Sequence, residues 1–140
     1  MRIMGLDVGD RRIGVALSDP IGLTAQRLTL IERSGLTRDV DAVCALVKQH
    51  DVEALVVGLP LTLRGERGVQ AGKVEVLVRH LRRHLTIPIH LIDERLTTVQ
   101  GQRVLRETGA SRRTRKQVID QIAAQLILQQ FLDGQRTPPA

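Results

Sequence analysis

At 140 residues, 42% of them hydrophobic, the chain has the composition of a globular protein rather than a disordered one, and the length of one domain rather than two lobes closing on a ligand. Basic residues number 21 against 15 acidic, a net charge of +6, which suits a polyanionic partner or serves solubility alone. Phe131 is the sole aromatic residue, with no Trp or Tyr, so the base-stacking platforms of single-strand binders are almost excluded.

The opening MRIMGLDVGDRR has no long apolar region before a small-residue cleavage site, and no later stretch approaches membrane-spanning length, so a cytoplasmic protein is expected. Ile3 to Asp7 reads as a short strand. Arg12 to Ser18 alternates Ile13, Val15 and Leu17 with Gly14, Ala16 and Ser18, and the link 8–11 is compact enough for a hairpin. A third strand, 25–31, follows the turn signal Asp19-Pro20-Ile21-Gly22. The period then changes. Val40, Val43, Cys44 and Val47 form one face of a helix over about 37–49, which makes Cys44 a core residue, and a lone cysteine excludes a disulfide framework. Strand 54–58 (ALVVG) leads to a second helix with Val74, Leu77, Val78, Leu81 and Leu85 on one face, then to strand 87–92. Thr97 with Gln100 has capping-box spacing for a further helix, 109–114 reads as a mobile basic loop, and a last helix runs to about Leu132. The domain is thus expected over 1–133, with a disordered tail over 134–140.

Strands joined by hairpins and then by helices predict an α/β fold with a five-stranded mixed sheet in the order 3-2-1-4-5, flanked by helices. The chain reversal puts a ligand crevice between the first and fourth strands, at their carboxyl ends. Three acidic positions interrupt stretches that otherwise read as buried: Asp7 ending one apolar run, Asp93-Glu94 ending another, and Asp120 inside the last helical repeat. Carboxylates so placed in a basic chain suggest a divalent-metal phosphodiester site; the bland reading is solvated surface. The first and fifth strands stand roughly 9–10 Å apart across the fourth, so their acids meet only if little lies between. Gly58 either leaves room there for metal or substrate backbone or makes a bare turn into Leu59-Pro60. Gly5 and Gly9 permit close backbone approach or tight packing, and Ala123 and Ala124 are small enough to let the last helix come near the sheet.

The segments GLDVGDRRIGVALSDP, VVGLPLTLRGERG, IDERLTT and RKQVIDQIAAQLILQQFLD, in this order, resemble the YqgF (RuvX) family of ribonuclease H-like proteins, described as pre-16S ribosomal RNA nucleases and as Holliday junction resolvases. The likeness covers nearly all of the chain except the tail. It implies a ribonuclease H-like fold, metal-dependent hydrolysis of nucleic acid in ribosome maturation, and Asp7, Glu94 and Asp120 as an acidic triad holding Mg2+ or Mn2+. Asp7 would bridge the metals, with Glu94 and Asp120 on either side. Glu94 is preferred to Asp93 by the family motif; pattern alone does not decide between them. Thr62 and Arg64 depart from the family's G-L-P-x-N-x-D-G loop, where Asn and Asp are common.

All the basic residues except Lys48, Lys73 and Lys116 are arginine, whose planar fork suits phosphate. Arg103, Arg106, Arg112, Arg113, Arg115 and Lys116 crowd the approach to Asp120, and Arg64, Arg67 and Lys73 follow the fourth strand near the same edge, so a nucleic-acid partner, pre-rRNA or branched DNA, is expected to lie there. His80 and His84 have metal-ligand spacing, but without an HExxH pattern and beside Arg82-Arg83 they read as a solvated face. Two other functions remain open: a non-catalytic RNA-binding factor for the ribosome, and nucleotide binding, since LDVGDRRIGVAL also resembles the phosphate-binding hairpin of the actin and sugar-kinase superfamily. Oligomeric state is not legible.

Overall fold

The computed structural model describes residues 2–60, 65–66, 68–94 and 112–136, the side chains of 112–121 and 136 excepted. Its elements are β1 (Arg2–Val8), β2 (Arg12–Ser18), β3 (Ala25–Glu32), α1 (Leu36–Gln49), β4 (Val52–Leu59), α2 (Val69–His84), β5 (Ile89–Asp93) and α3 (Arg112–Arg136). The strands form one sheet in the expected order β3-β2-β1-β4-β5. Pairing is antiparallel across β1–β2 and β2–β3, where short turns reverse the chain, and parallel across β1–β4 and β4–β5, where α1 and α2 carry it back.

The local signals work as read. At the β2–β3 turn the Asp19 carboxylate accepts from the Leu23 N–H at 2.7 Å and the Thr24 hydroxyl at 3.1 Å, and Gly22 takes the positive φ of 75° that the reversal needs. Element ends differ more. β5 starts at Ile89 rather than 87: Pro88 has no N–H, and only its carbonyl joins β4, accepting from the Leu55 N–H at 2.9 Å. α3 starts at Arg112, so 112–114 are helical rather than loop, because SRRTRK holds no Gly or Pro to stop a helix. It also runs through Gly134 to Arg136, past the expected end at Leu132; one glycine costs a helix only about 1 kcal/mol. The Thr97–Gln100 cap, Gly109 and residues 137–140 lie outside the described residues.

The sheet is covered on both faces, and strand alternation sorts its side chains by size. Met4, Leu6 and Val8 of β1, with Leu55, Val57 and Leu59 of β4, point to α1 and α2, where Val40, Val43, Val47, Val74, Leu77, Val78 and Leu81 complete the larger core. The opposite face holds Ile3, Ala16, Ala25, Ala54 and Val56, over which α3 lays Ala123, Ala124, Ile127, Leu128 and Leu132. Small residues on both sides bring helix and sheet close together. Gln125 and Gln129 fix α3 along its axis: Gln129 accepts from the Ala25 N–H at 2.9 Å and donates to the Leu23 carbonyl at 3.1 Å, while Gln125 donates to the Ala25 carbonyl at 3.0 Å.

At Gly5 the strand lies against the backbone of α3. A Cβ there would lie 2.8 Å from Leu128 Cβ and 3.0 Å from the Ala124 carbonyl oxygen, positions that only movement of the helix itself could relieve. Gly5→Ala should therefore cost about 1–3 kcal/mol. Urea unfolding measures it; a midpoint equal to the parent's would mean that α3 sits farther from β1.

Candidate active site

Asp7 falls on the α3 face of β1 with Ile3 and Gly5, yet it is only 1% exposed. The strand register explains what surrounds it. Asp7 pairs with Gly14 of β2; Leu6 pairs with Val57 of β4, which puts Gly58 beside Asp7; and Gly58 pairs with Ile92 of β5. Across the sheet the row thus runs Gly14, Asp7, Gly58, Ile92, so the acid is flanked by two glycines.

Glu94 fills the space that one of them leaves. It lies in the turn after β5, also 1% exposed, with its side chain over β4: a Cβ on Gly58 would be 2.6 Å from Glu94 Oε1, 3.0 Å from Glu94 Cγ and 2.5 Å from Ile127 Cδ1. Neither sequence reading of Gly58 holds. It is an interior strand residue, not a turn, and its missing side chain makes room for Glu94 and Ile127. With adjacent strands about 4.8 Å apart, this puts the Glu94 carboxylate within roughly 8 Å of the Asp7 Cβ, less than the two strand spacings that separate β1 from β5.

Asp93 takes the other face. It pairs with Leu59, whose side chain belongs to the α1 and α2 core, so alternation turns Asp93 away from Asp7. The third acid, Asp120, lies on α3 seven residues before Ile127 and four before Ala124; its side chain is outside the described residues.

The donor set suits a hard cation. Carboxylate oxygens without a nitrogen or sulfur ligand favour magnesium or manganese over zinc. Among the described residues no three His, Cys, Asp or Glu side chains converge on one point.

The hairpin after Asp7 is held from beneath. Arg33 Nη1 donates to the Gly9 carbonyl at 3.0 Å, and Arg33 Nε pairs at 3.1 Å with the buried Asp39, which also accepts from the Ser34 N–H. Sequence reading missed this pair, because Arg33 sits in a linker and Asp39 reads as an ordinary acid in the first turn of a helix. Lys73, expected to face a polyanion, instead pairs with Asp10 at 3.4 Å, and Gln70 donates to the same carboxylate at 3.3 Å. The Gln70 hydrogen bond and the Lys73 ammonium hold the Asp10 carboxyl below its usual range, against a smaller opposing effect of burial.

The remaining candidates separate cleanly. His80 and His84 each lie 2.9 Å, through Nδ1, from a carbonyl of their own helix, on the solvent side of α2, in keeping with a solvated face. Cys44 packs against the α1 core, and burial, with the Asp41 charge, pushes its thiol up, which keeps it protonated and inert. Arg64, Arg67, Arg103 and Arg106 lie outside the described residues. Arg112, Arg113, Arg115 and Lys116 lie in the first turns of α3, and the first turn contains no acidic residue. No helix among the described residues is long and apolar enough to cross a membrane.

Residues 1–134 match the RuvX family, whose description is Holliday junction resolvase. The chain belongs to the RuvX family. It is 56% identical over 133 residues to a protein of Moorella thermoacetica described as a candidate pre-16S rRNA nuclease, covering 95% of each chain. It is 51% identical over 137 residues to one of the same description from Thermoanaerobacter pseudethanolicus, covering 97% of this chain and 99% of the other. In fold it is similar to Thermus thermophilus RuvC in complex with a Holliday junction substrate, at a TM-score of 0.61 and 16% identity, covering 100% of this chain and 99% of that one. The fowlpox virus resolvase in complex with junction DNA follows at a TM-score of 0.56 and 9% identity, covering 98% of this chain and 100% of that one. These likenesses place the RuvX chain in the ribonuclease H-like fold of resolvases.

Proposed function

We propose that this RuvX protein is a metal-dependent nuclease of structured nucleic acid, that its substrate is precursor 16S ribosomal RNA in the cytoplasm, and that Asp7, Glu94 and Asp120 hold Mg2+ or Mn2+. The observation that carries the reading is the burial of Asp7 and Glu94 on one face of the sheet, brought together over Gly58. Two carboxylates held on one face of the sheet, about a strand position that carries no side chain, make the oxygen-donor pair that a hard cation takes. Asp120 is assigned with them because its spacing of four and seven residues from the buried Ala124 and Ile127 is the helical repeat. When bound, the metal supplies Lewis-acid stabilisation of the phosphodiester oxygens and an activated water. The chain's own part is to hold the ligands at fixed spacing. Asp7 does so from a central strand and Glu94 from the turn after β5, where it shares the space above Gly58 with Ile127.

The start of α3 supports a polyanionic substrate. A helix tuned for stability places acids in its first turn, against the positive end of its dipole, whereas this one has none there and carries Arg112, Arg113, Arg115 and Lys116. Alanine at both Arg112 and Arg113 should weaken RNA binding about equally across sequences and reduce the slope of log affinity against log salt by about one unit per lost phosphate contact. It should also raise stability, by about 0.3–1 kcal/mol per charge removed from the helix terminus. Binding titrations in calcium at several salt concentrations, with thermal unfolding alongside, read both; an unaltered slope would take these arginines off the binding surface.

A second reading, cleavage of four-way junction DNA, is favoured by the family's description as resolvases. One experiment separates the readings from each other and from a binding protein that does not cut. Purified protein is given labelled precursor RNA or junction DNA with Mg2+, Mn2+ or EDTA, beside Asp7→Asn. Metal-dependent cleavage of RNA, lost in the variant, is expected. Junction cleavage alone would transfer the activity to DNA, and binding without cleavage of either would end the nuclease reading.

A further inference from the structure

The three-residue hairpin behind Asp7 is gripped at every position, and one charged side chain on it is left over. The Gly9 carbonyl accepts from Arg33 Nη1 at 3.0 Å, the Asp10 carboxylate from Gln70 and Lys73, and the Arg11 carbonyl from the Arg33 N–H at 2.9 Å. A short hairpin closes without such help, here through the Gly9 N–H and the Arg12 carbonyl at 2.8 Å. The Arg33 N–H continues the β2–β3 ladder, whereas the side-chain grips of Arg33, Gln70 and Lys73 come from 24, 60 and 63 residues away along the chain and make the turn stiffer than strand pairing requires.

The neighbouring charges are already matched. Arg12 faces Glu32 at 3.0 Å, Arg33 faces Asp39 at 3.1 Å and Lys73 faces Asp10 at 3.4 Å. Arg11 is exposed, with no carboxylate partner among the described residues, and stands four residues past Asp7 at the carboxyl edge of β1. We infer that Arg11 is a substrate contact: its guanidinium binds a backbone phosphate next to the one cleaved, and the Arg33 and Lys73 grips keep that phosphate in register with Asp7. A planar fork on a rigid turn suits a phosphate, which it can engage through two parallel hydrogen bonds, and a phosphate contact carries no base preference. The inference rests on the nuclease reading of the Asp7 site. Arg33, half-buried and paired with the buried Asp39, acts through the hairpin and is a positioning residue.

The test compares Arg11→Ala and Arg11→Lys with Arg27→Ala, an exposed arginine on β3 about five residues, or roughly 17 Å, from the carboxyl edge. The probe is a labelled RNA hairpin, bound in calcium at several salt concentrations and cleaved in Mg2+. Arg11→Ala should bind about tenfold more weakly and flatten the salt slope by about one unit, with KM raised and kcat within about twofold of the parent. Arg11→Lys should regain the slope and part of the affinity, since it keeps the charge and loses the fork. Arg33→Lys should raise KM as well, and the Arg11→Ala, Arg33→Lys double variant should be no worse than Arg11→Ala alone, as expected of two residues serving one contact. An unchanged slope in Arg11→Ala, or an equal loss in Arg27→Ala, would overturn the inference. Binding in calcium does not depend on turnover, so a parent that binds but never cleaves would defeat the nuclease reading while the slope still decides the role of Arg11.

Discussion

Asp7→Asn should reduce RNA hydrolysis at least about a hundredfold, the upper end of what a metal site loses when even an outer-shell partner is changed, while the protein stays folded. The side chain is 1% exposed and shares its face with the equally buried Glu94, so the variant keeps the shape of the site and removes one of two charges that repel. Without metal its thermal midpoint should match the parent's or rise by a few degrees, the shift that about 1 kcal/mol of relieved repulsion gives a domain of this size. Adding Mn2+ should raise the midpoint of the parent more than that of the variant, because a ligand stabilises the state that binds it. Parental activity in Asp7→Asn would remove Asp7 from the mechanism. A large loss of stability would make it a structural acid.

Gly58→Ala should separate the site from the core beneath it. The new methyl carbon would lie 2.6 Å from Glu94 Oε1 and 2.5 Å from Ile127 Cδ1, so both side chains must move. Each of these atoms is the far end of a flexible side chain, and stability should fall by only about 1–2 kcal/mol, the lower part of the range for overpacking. Activity should fall much further. Glu94 would lose its place over β4, and displacement of a reacting group by about 1 Å can cost 10²-fold. Gly5→Ala offers the contrast: its methyl meets the α3 backbone, so there stability falls first. If Gly58→Ala left turnover intact while Gly5→Ala behaved as expected, the Glu94 carboxylate would work from somewhere other than above β4.

Much of this architecture follows from local sequence. Alternation in Arg12 to Ser18, the apolar face of Val40, Val43 and Val47, and the Asp19 turn each reflect a repeat of two or 3.6 residues, or one side chain bonding its own backbone, and these need no distant partner. Strand order was legible as well, because the length and type of each connection dictate whether the chain reverses or crosses over. The acids could be found as interruptions of apolar runs. Which of them meet depended on register across strands far apart in sequence: Gly14 and Gly58 had to fall on either side of Asp7, and one step of alternation had to turn Asp93 away while Glu94 folds back over β4. The grips on the Asp7 hairpin lay beyond sequence reading for the same reason. Arg33, Gln70 and Lys73 act across 24 to 63 residues, and an ion pair or hydrogen bond made at that separation leaves no periodic trace in the residues that form it.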